Sequence, residues 1–201
     1  MPRLPINPPV RVSPHGAYGF VRKSKADGGC GRSGKYPCTH RGVDLLGKKG
    51  TPVFAPEAAR VVIAAYDDAT PPLRGYGPGA VMLLGASGLI HILGHLDPEW
   101  WTSTAWQIPG VNAPLTEGFI GKDRRPADGR VYREGEQIGV TSHLDHVHWE
   151  MATPSKGADG GTSRKPGERR DPLVWARGGS AGGQSSVLPL LLLAALVSRR
   201  K

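Results

Sequence analysis

The sequence has few cysteines, few aromatics, no internal repeat and no apolar core of signal-peptide length near its start. Each scarcity narrows the reading. Cys30 and Cys38 are the only cysteines, and together with His40 their spacing matches no common zinc pattern. Aromatics are only 6%, whereas Gly (29) and Pro (19) are abundant, which favours a loop-rich β fold over a helical bundle. Lys and Arg are dispersed, with no aromatic-interleaved basic patch and no nucleic-acid motif. The opening MPRLPINPPV is not a Sec signal, so the expectation is a chain that lacks one, is already processed, or is exported by another route.

The 201 residues suit one domain with a tail, and the apolar content suffices for a core. A net charge of +9 predicts attraction to polyanions: an acidic wall polymer, an anionic membrane or, weakest of the three, nucleic acid. Residues 1–39 read as irregular coil with one short edge strand. Cys30 and Cys38 either close a small loop before His40 or stay as thiols; an unstrained bridge there contributes about 2.5 kcal/mol on the chain-entropy model. Residues 59–64 read as a buried strand, and 80–84 with 89–96 as a hairpin. Residues 97–134, with three of the five tryptophans, read as a long excursion expected to wall a groove. A short strand at 135–140 leads to the stretch His146-Val147-His148-Trp149-Glu150, and Asp171-Pro172-Leu173-Val174-Trp175 closes the domain.

Chemistry concentrates in the histidines. On a strand, His146 and His148 point to one face, while Val147 and Trp149 pack the other. His40 and Asp44, four apart, can also share a face, and so can His91 and His95. A catalytic zinc takes three N/O protein ligands and leaves one position open. Two histidines and a carboxylate meet that need, and leftover histidines can move protons or stabilise an oxyanion. The parts suffice for metal-assisted amide hydrolysis. His143 and His15 read as turn and loop residues.

The order of these motifs, His40-x3-Asp44, then Gly94-His95-Leu96, then His146-x-His148 followed by Trp149 and Glu150, closely resembles the lysostaphin/LytM-type zinc endopeptidases, family M23. The segments Gly50–Pro56, Gly135–Val140 and Asp171-Pro172-Leu173 agree, so the match runs from about residue 8 to 177 outside the 97–134 excursion. The resemblance implies a mostly β, small antiparallel β-sheet domain with long loops. It implies a Zn²⁺ cofactor held by His40, Asp44 and His148, with His95 and His146 as catalytic histidines. The implied substrate is the peptide part of peptidoglycan, and the implied place of action is the cell envelope. Three features depart from the family: Leu93 stands for a tyrosine, Asp145 for a proline, and the turn 141–145 is short. They bear on groove shape and substrate preference rather than on metal binding.

Two further functions share this pattern. One is a catalytically inactive LytM-like domain that binds or activates a partner. The other is a virion-associated structural component whose hydrolase acts at entry. After residues 1–177 come a Gly/Ser linker, 178–186, and an apolar, basic-ended tail, 187–201. As a helix, residues 187–197 would reach about 16 Å against about 30 Å of hydrocarbon, so shallow docking on an anionic membrane or burial against a virion partner is expected rather than a span.

Overall fold

The computed structural model describes residues 3–30, 35–65, 73, 75–103, 131–156 and 162–178. The strands are β1 (Val21–Arg22), β2 (Cys38–Thr39), β3 (Val43–Leu46), β4 (Pro52–Phe54), β5 (Ala59–Ala65), β6 (Gly79–Gly85), β7 (Ile90–Leu96), β8 (Val131–Tyr132), β9 (Gln137–Val140), β10 (His146–Lys156) and β11 (Thr162–Arg170). Helix α1 (Pro98–Ser103) lies between β7 and β8, and α2 (Pro172–Ala176) follows β11. The fold is mostly antiparallel β, as the sequence predicts.

The main sheet runs in the order β11-β10-β7-β6-β5-β8, with every neighbouring pair antiparallel. Strand β3 also pairs with β10. Both β3 and β7 pair with His148 and Trp149, so they flank β10 on opposite edges, and β11 continues along the β3 edge. The small pairs β1–β2 and β4–β9 complete the ladders. The expected hairpin is β6–β7, extended by one residue on β6 at each end.

Period-two alternation sorts the apolar side chains onto two faces. Val81, Leu83, Leu93, Val147 and Trp149 join Val43, Leu45 and Ile138 in the larger cluster. Ala80, Met82, Ile90 and Ile92 form a smaller one with Val62 and Leu73. Each fully buried Leu, Ile or Met contributes roughly 1.5–3 kcal/mol relative to exposure. Asp171 caps α2, its carboxylate accepting from the N–H groups of Leu173 and Val174, with Pro172 in the first turn.

The sequence places His91 and His95 on one face; the structure separates them. His91 is fully buried. His95 has φ 62, a left-handed backbone, and the β6–β7 register shifts between Gly79/Leu96 and Val81/Leu93. The irregularity turns His95 out of the alternation while Leu96, three residues after Leu93, returns to the larger cluster.

At the N-terminal end, a disulfide joins Cys30 and Cys38 beside the β1–β2 pair. The 97–134 excursion starts as α1, whose Trp100 packs on the larger cluster, and β8 returns it to the sheet at Ala59 and Arg60. The groove-wall expectation falls on residues 104–130, and the linker and tail on 179–201; these lie outside the described residues. Among the described residues, no helix is long and apolar enough to cross a membrane.

Candidate metal centre and its cleft

Strands β3 and β10 pair Asp44 directly with His148. Their neighbours Val43, Leu45, Val147 and Trp149 enter the larger cluster, so Asp44, His146, His148 and Glu150 project from the opposite face. His40 precedes β3 and reaches the same point through a bend at Gly42, not by strand alternation. A Cβ on Gly42 would lie 2.5 Å from the Trp149 carbonyl oxygen and 2.8 Å from His148 Nε2, so this position requires glycine for space.

Three acceptor atoms converge. His148 Nδ1 lies 2.7 Å from Asp44 Oδ1 and 3.0 Å from His40 Nε2, and His40 Nε2 lies 3.3 Å from Asp44 Oδ1. The outward nitrogens show which atoms carry lone pairs. His40 Nδ1–H donates to the Ala17 carbonyl at 3.1 Å, leaving a lone pair on Nε2. His148 Nε2–H donates to Glu150 Oε1 at 3.2 Å, leaving Nδ1 as the inward atom. Two imidazole nitrogens and a carboxylate oxygen this close repel unless positive charge sits among them. The set fits a divalent metal of zinc type, whose histidine ligands bond a carboxylate or carbonyl through the other ring nitrogen. His40, Asp44 and His148 are all buried and grouped tightly enough to hold one ion.

Electrostatics carry the same demand for a cation. Burial alone would lower the His148 pKa, but hydrogen bonds to Asp44 and Glu150, with their charges, raise it to about 9. Burial pushes Asp44 up, yet hydrogen bonds and charge from His148 and His40 hold it far below the usual carboxylate range. An arginine holds the outer oxygen of each carboxylate: Arg22 Nη2 lies 3.1 Å from Asp44 Oδ2, and Arg169 Nε 2.8 Å from Glu150 Oε2. Tyr76 also hydrogen-bonds Glu150, and its ring centroid is 5.5 Å from that of His148.

The other two candidates stand beside this group. His146 Nδ1–H donates to the Leu144 carbonyl at 2.7 Å, turning Nε2 towards Asp44 Oδ1, 4.0 Å away. The His95 ring packs edge-on against His146, centroids 4.5 Å apart. Burial, then the charges of His146 and His148, lower the His95 pKa to about 3, so it is neutral at physiological pH. Its backbone is clamped on both sides: His95 N–H donates to the Tyr76 carbonyl at 2.7 Å, and its carbonyl accepts from Ser142 N–H at 2.9 Å. His40, Asp44, His95, His146 and His148 all line one open cleft, together with Tyr76, Arg22 and both cysteines of the disulfide. The five site residues chosen from sequence are thus brought together, whereas His91 and His143 stand apart from them.

Two departures have local explanations. Asp145 has φ 54, which proline cannot adopt, and its carboxylate accepts from Lys49 N–H at 2.7 Å. Leu93 is fully buried in the larger cluster, and the tyrosine in the cleft is Tyr76.

Glu150, Arg169, Arg22 and Tyr76 also line the cleft, without a motif that marks them. Period-two spacing from His146 and His148 was enough to place Glu150 on the site face. The other three arrive through pairing of distant segments and leave no local signal.

No protein-family model matches the chain, and comparison with curated proteins gives no match. Among solved structures, the catalytic domain of the antimicrobial peptidase lysostaphin from Staphylococcus simulans is similar over 80% of this chain and 89% of its own, at 18% identity and TM-score 0.45. A zinc-containing peptidase from Vibrio cholerae is similar over 75% of this chain at 17% identity and TM-score 0.46, and this chain spans only 36% of its length. A chain of a SpoIIIAH–SpoIIQ complex is similar over 87% of this chain and 99% of its own, at 18% identity and TM-score 0.48.

Proposed function

We propose that this chain is a zinc-dependent endopeptidase that hydrolyses peptide bonds of bacterial peptidoglycan and acts in the cell envelope. One observation supports the chemistry above all: three acceptor atoms, from His40, Asp44 and His148, meet within 3.3 Å, with His95 and His146 beside them in an open cleft. In this reading His40, Asp44 and His148 hold the ion. When bound, zinc supplies Lewis acidity, lowering the pKa of a water towards neutrality and polarising a carbonyl. His146, with Nδ1–H engaged by Leu144, offers the Nε2 lone pair to the proton of the attacking water. His95, kept neutral by burial, retains one N–H to donate to the developing oxyanion.

The substrate class rests on the order of the sequence motifs, and the net charge of +9 suits an anionic wall. Residues 1–177 would form the peptidase, with 97–134 as its insertion and 178–186 as a linker. Residues 187–201 would dock on an anionic membrane or against a virion partner. Removing residues 179–201 should abolish flotation with anionic vesicles, or sedimentation with particles, while cleavage of soluble wall fragments persists.

The test is digestion of purified walls by chelated and zinc-restored protein, with mass spectrometry of released peptides. New amine and carboxyl ends should appear only after zinc is restored. A protein that retains zinc but releases no peptide from any wall type would instead be the inactive binding domain.

A further inference from the structure

Asp44 offers two carboxylate oxygens, and the fold treats them differently. Oδ1 faces His148 Nδ1 and His40 Nε2. Oδ2 is enclosed on the far side. Arg22 Nη2 holds it at 3.1 Å, and the loop at Gly16 closes over it so tightly that a Cβ on Gly16 would stand 3.0 Å from Oδ2 and 2.5 Å from Asp44 Cβ. The same loop fixes the Asp44 backbone: Asp44 N–H donates to the Gly16 carbonyl at 2.8 Å, and Ser13 N–H to the Asp44 carbonyl at 2.9 Å.

Arg22 is itself anchored. Its Nη1–H donates to the Gly29 carbonyl at 2.5 Å, and Nη2 also reaches the His15 carbonyl at 3.5 Å. Gly28, with φ 113, lets the chain pass against the guanidinium, where a Cβ would lie 3.0 Å from Nε. Arg22 is the register partner of Cys38, and Gly29 precedes Cys30, so the disulfide ties the strand paired with Arg22 to the loop whose carbonyl takes its guanidinium. The Arg22 side chain is only 13% exposed and that of Asp44 10%, so the pair is shielded from solvent competition.

We infer that Arg22 is a positioning residue for the metal site: by taking Oδ2 it presents Asp44 to the ion through Oδ1 alone. A carboxylate freed of this partner can swing to offer both oxygens, which raises the coordination number and fills the position a reacting water needs. The hydrogen-bonding partners of metal ligands commonly set metal affinity by about 10- to 100-fold. The inference rests on the metal-site reading proposed above.

Cobalt substitution tests it without relying on turnover, because four-coordinate Co²⁺ absorbs strongly in the visible and higher-coordinate Co²⁺ weakly. Wild type, Arg22→Gln and Arg22→Lys would be loaded with Co²⁺, their spectra recorded and their affinities set against a chelator. Arg22→Gln should lose about 10- to 100-fold in affinity and show weakened visible bands. Arg22→Lys keeps a charge near Oδ2 but cannot grip Gly29 at the same time, and should fall between the two. If wild type binds Co²⁺ and Arg22→Gln matches it in affinity and spectrum, the inference is overturned while the metal site stands. If Arg22→Gln does not fold, Arg22→Lys decides, and wild-type affinity and spectrum there overturn the inference equally. A wild-type chain that takes up no Co²⁺ overturns the metal reading and the inference together.

Discussion

His148 Nδ1 lies 2.7 Å from Asp44 Oδ1, and the same two residues are register partners between β10 and β3. The backbone ladder therefore sets this distance, and the side chains need little freedom to meet. Behind the pair, Glu150 Oε1 accepts from His148 Nε2 at 3.2 Å and fixes the ring orientation.

Gly42 is the position on which that arrangement depends most. A methyl group there would stand 2.8 Å from both His148 Nε2 and Glu150 Cγ, and 2.5 Å from the Trp149 carbonyl oxygen. Gly42→Ala should push the His148 ring off Glu150 and lower zinc affinity by at least about 10-fold. Metal analysis after dialysis against a weak chelator checks this. A folded Gly42→Ala protein that keeps its full complement would refute it.

Much of this architecture could be read from local pattern. Alternation in residues 146–149 gave the two faces of β10, and the apolar runs around residues 85–88 gave the β6–β7 hairpin. Alternation misled at His95, because a left-handed residue inside a strand leaves no mark in composition when the residue is not glycine. Strand β11 carries no strand signal of its own, because Thr-Ser-Arg-Lys-Pro-Gly-Glu-Arg-Arg is polar and contains proline and glycine. Its pairing with β10 is a property of the partner strand. Arg22 and Arg169 lie 22 and 19 residues from the carboxylates they hold. No spacing rule connects them.

His146 and His148 sit two residues apart but should separate cleanly by experiment. His148→Ala removes one of three converging atoms and should abolish stoichiometric zinc binding. His146→Ala leaves all three in place and should keep the metal while losing on the order of 10²-fold or more in kcat, the scale of a lost general base. Zinc content and turnover measured on both variants decide the matter. Metal loss in His146→Ala would show that the two roles are misassigned.

Gly77 controls His95 from behind. It has φ +55, and a Cβ there would lie 2.8 Å from His95 Nδ1. Gly77→Ala should displace the imidazole and lower kcat by about 10²-fold, as for a lost oxyanion donor, with zinc affinity unchanged. Equal kcat in Gly77→Ala and wild type would show that His95 has no part in the rate.

The last prediction concerns a buried polar cluster away from the cleft. Glu57 Oε1 accepts from His91 Nε2–H at 2.7 Å and from the Ser87 hydroxyl at 2.6 Å, while Oε2 accepts from Ser87 N–H at 2.9 Å. The Trp149 indole N–H donates to His91 Nδ1 at 3.2 Å, so Nε2 carries the ring proton and His91 bridges the core tryptophan to the carboxylate. Burial pushes the Glu57 pKa up, but hydrogen bonds from His91 and Ser87 outweigh it and hold the folded value below 4.5. A depressed folded pKa means that the unfolded chain binds the proton more readily. The stabilisation is therefore complete above the unfolded value of 4.5 and is lost as pH falls through the lower, folded value. Glu57→Gln keeps the size but removes the charge, and should cost about 1–3 kcal/mol at neutral pH. The gap between wild type and Glu57→Gln should then narrow as pH drops below 4.5, since protonated Glu57 and glutamine become similar acceptors. The carboxylates of the cleft titrate alike in both proteins and cancel in the difference. Urea unfolding of both proteins at neutral pH and at two values below 4.5 measures the gap. A gap that stays constant with pH would mean that ionisation of Glu57 adds nothing to the stability of the fold.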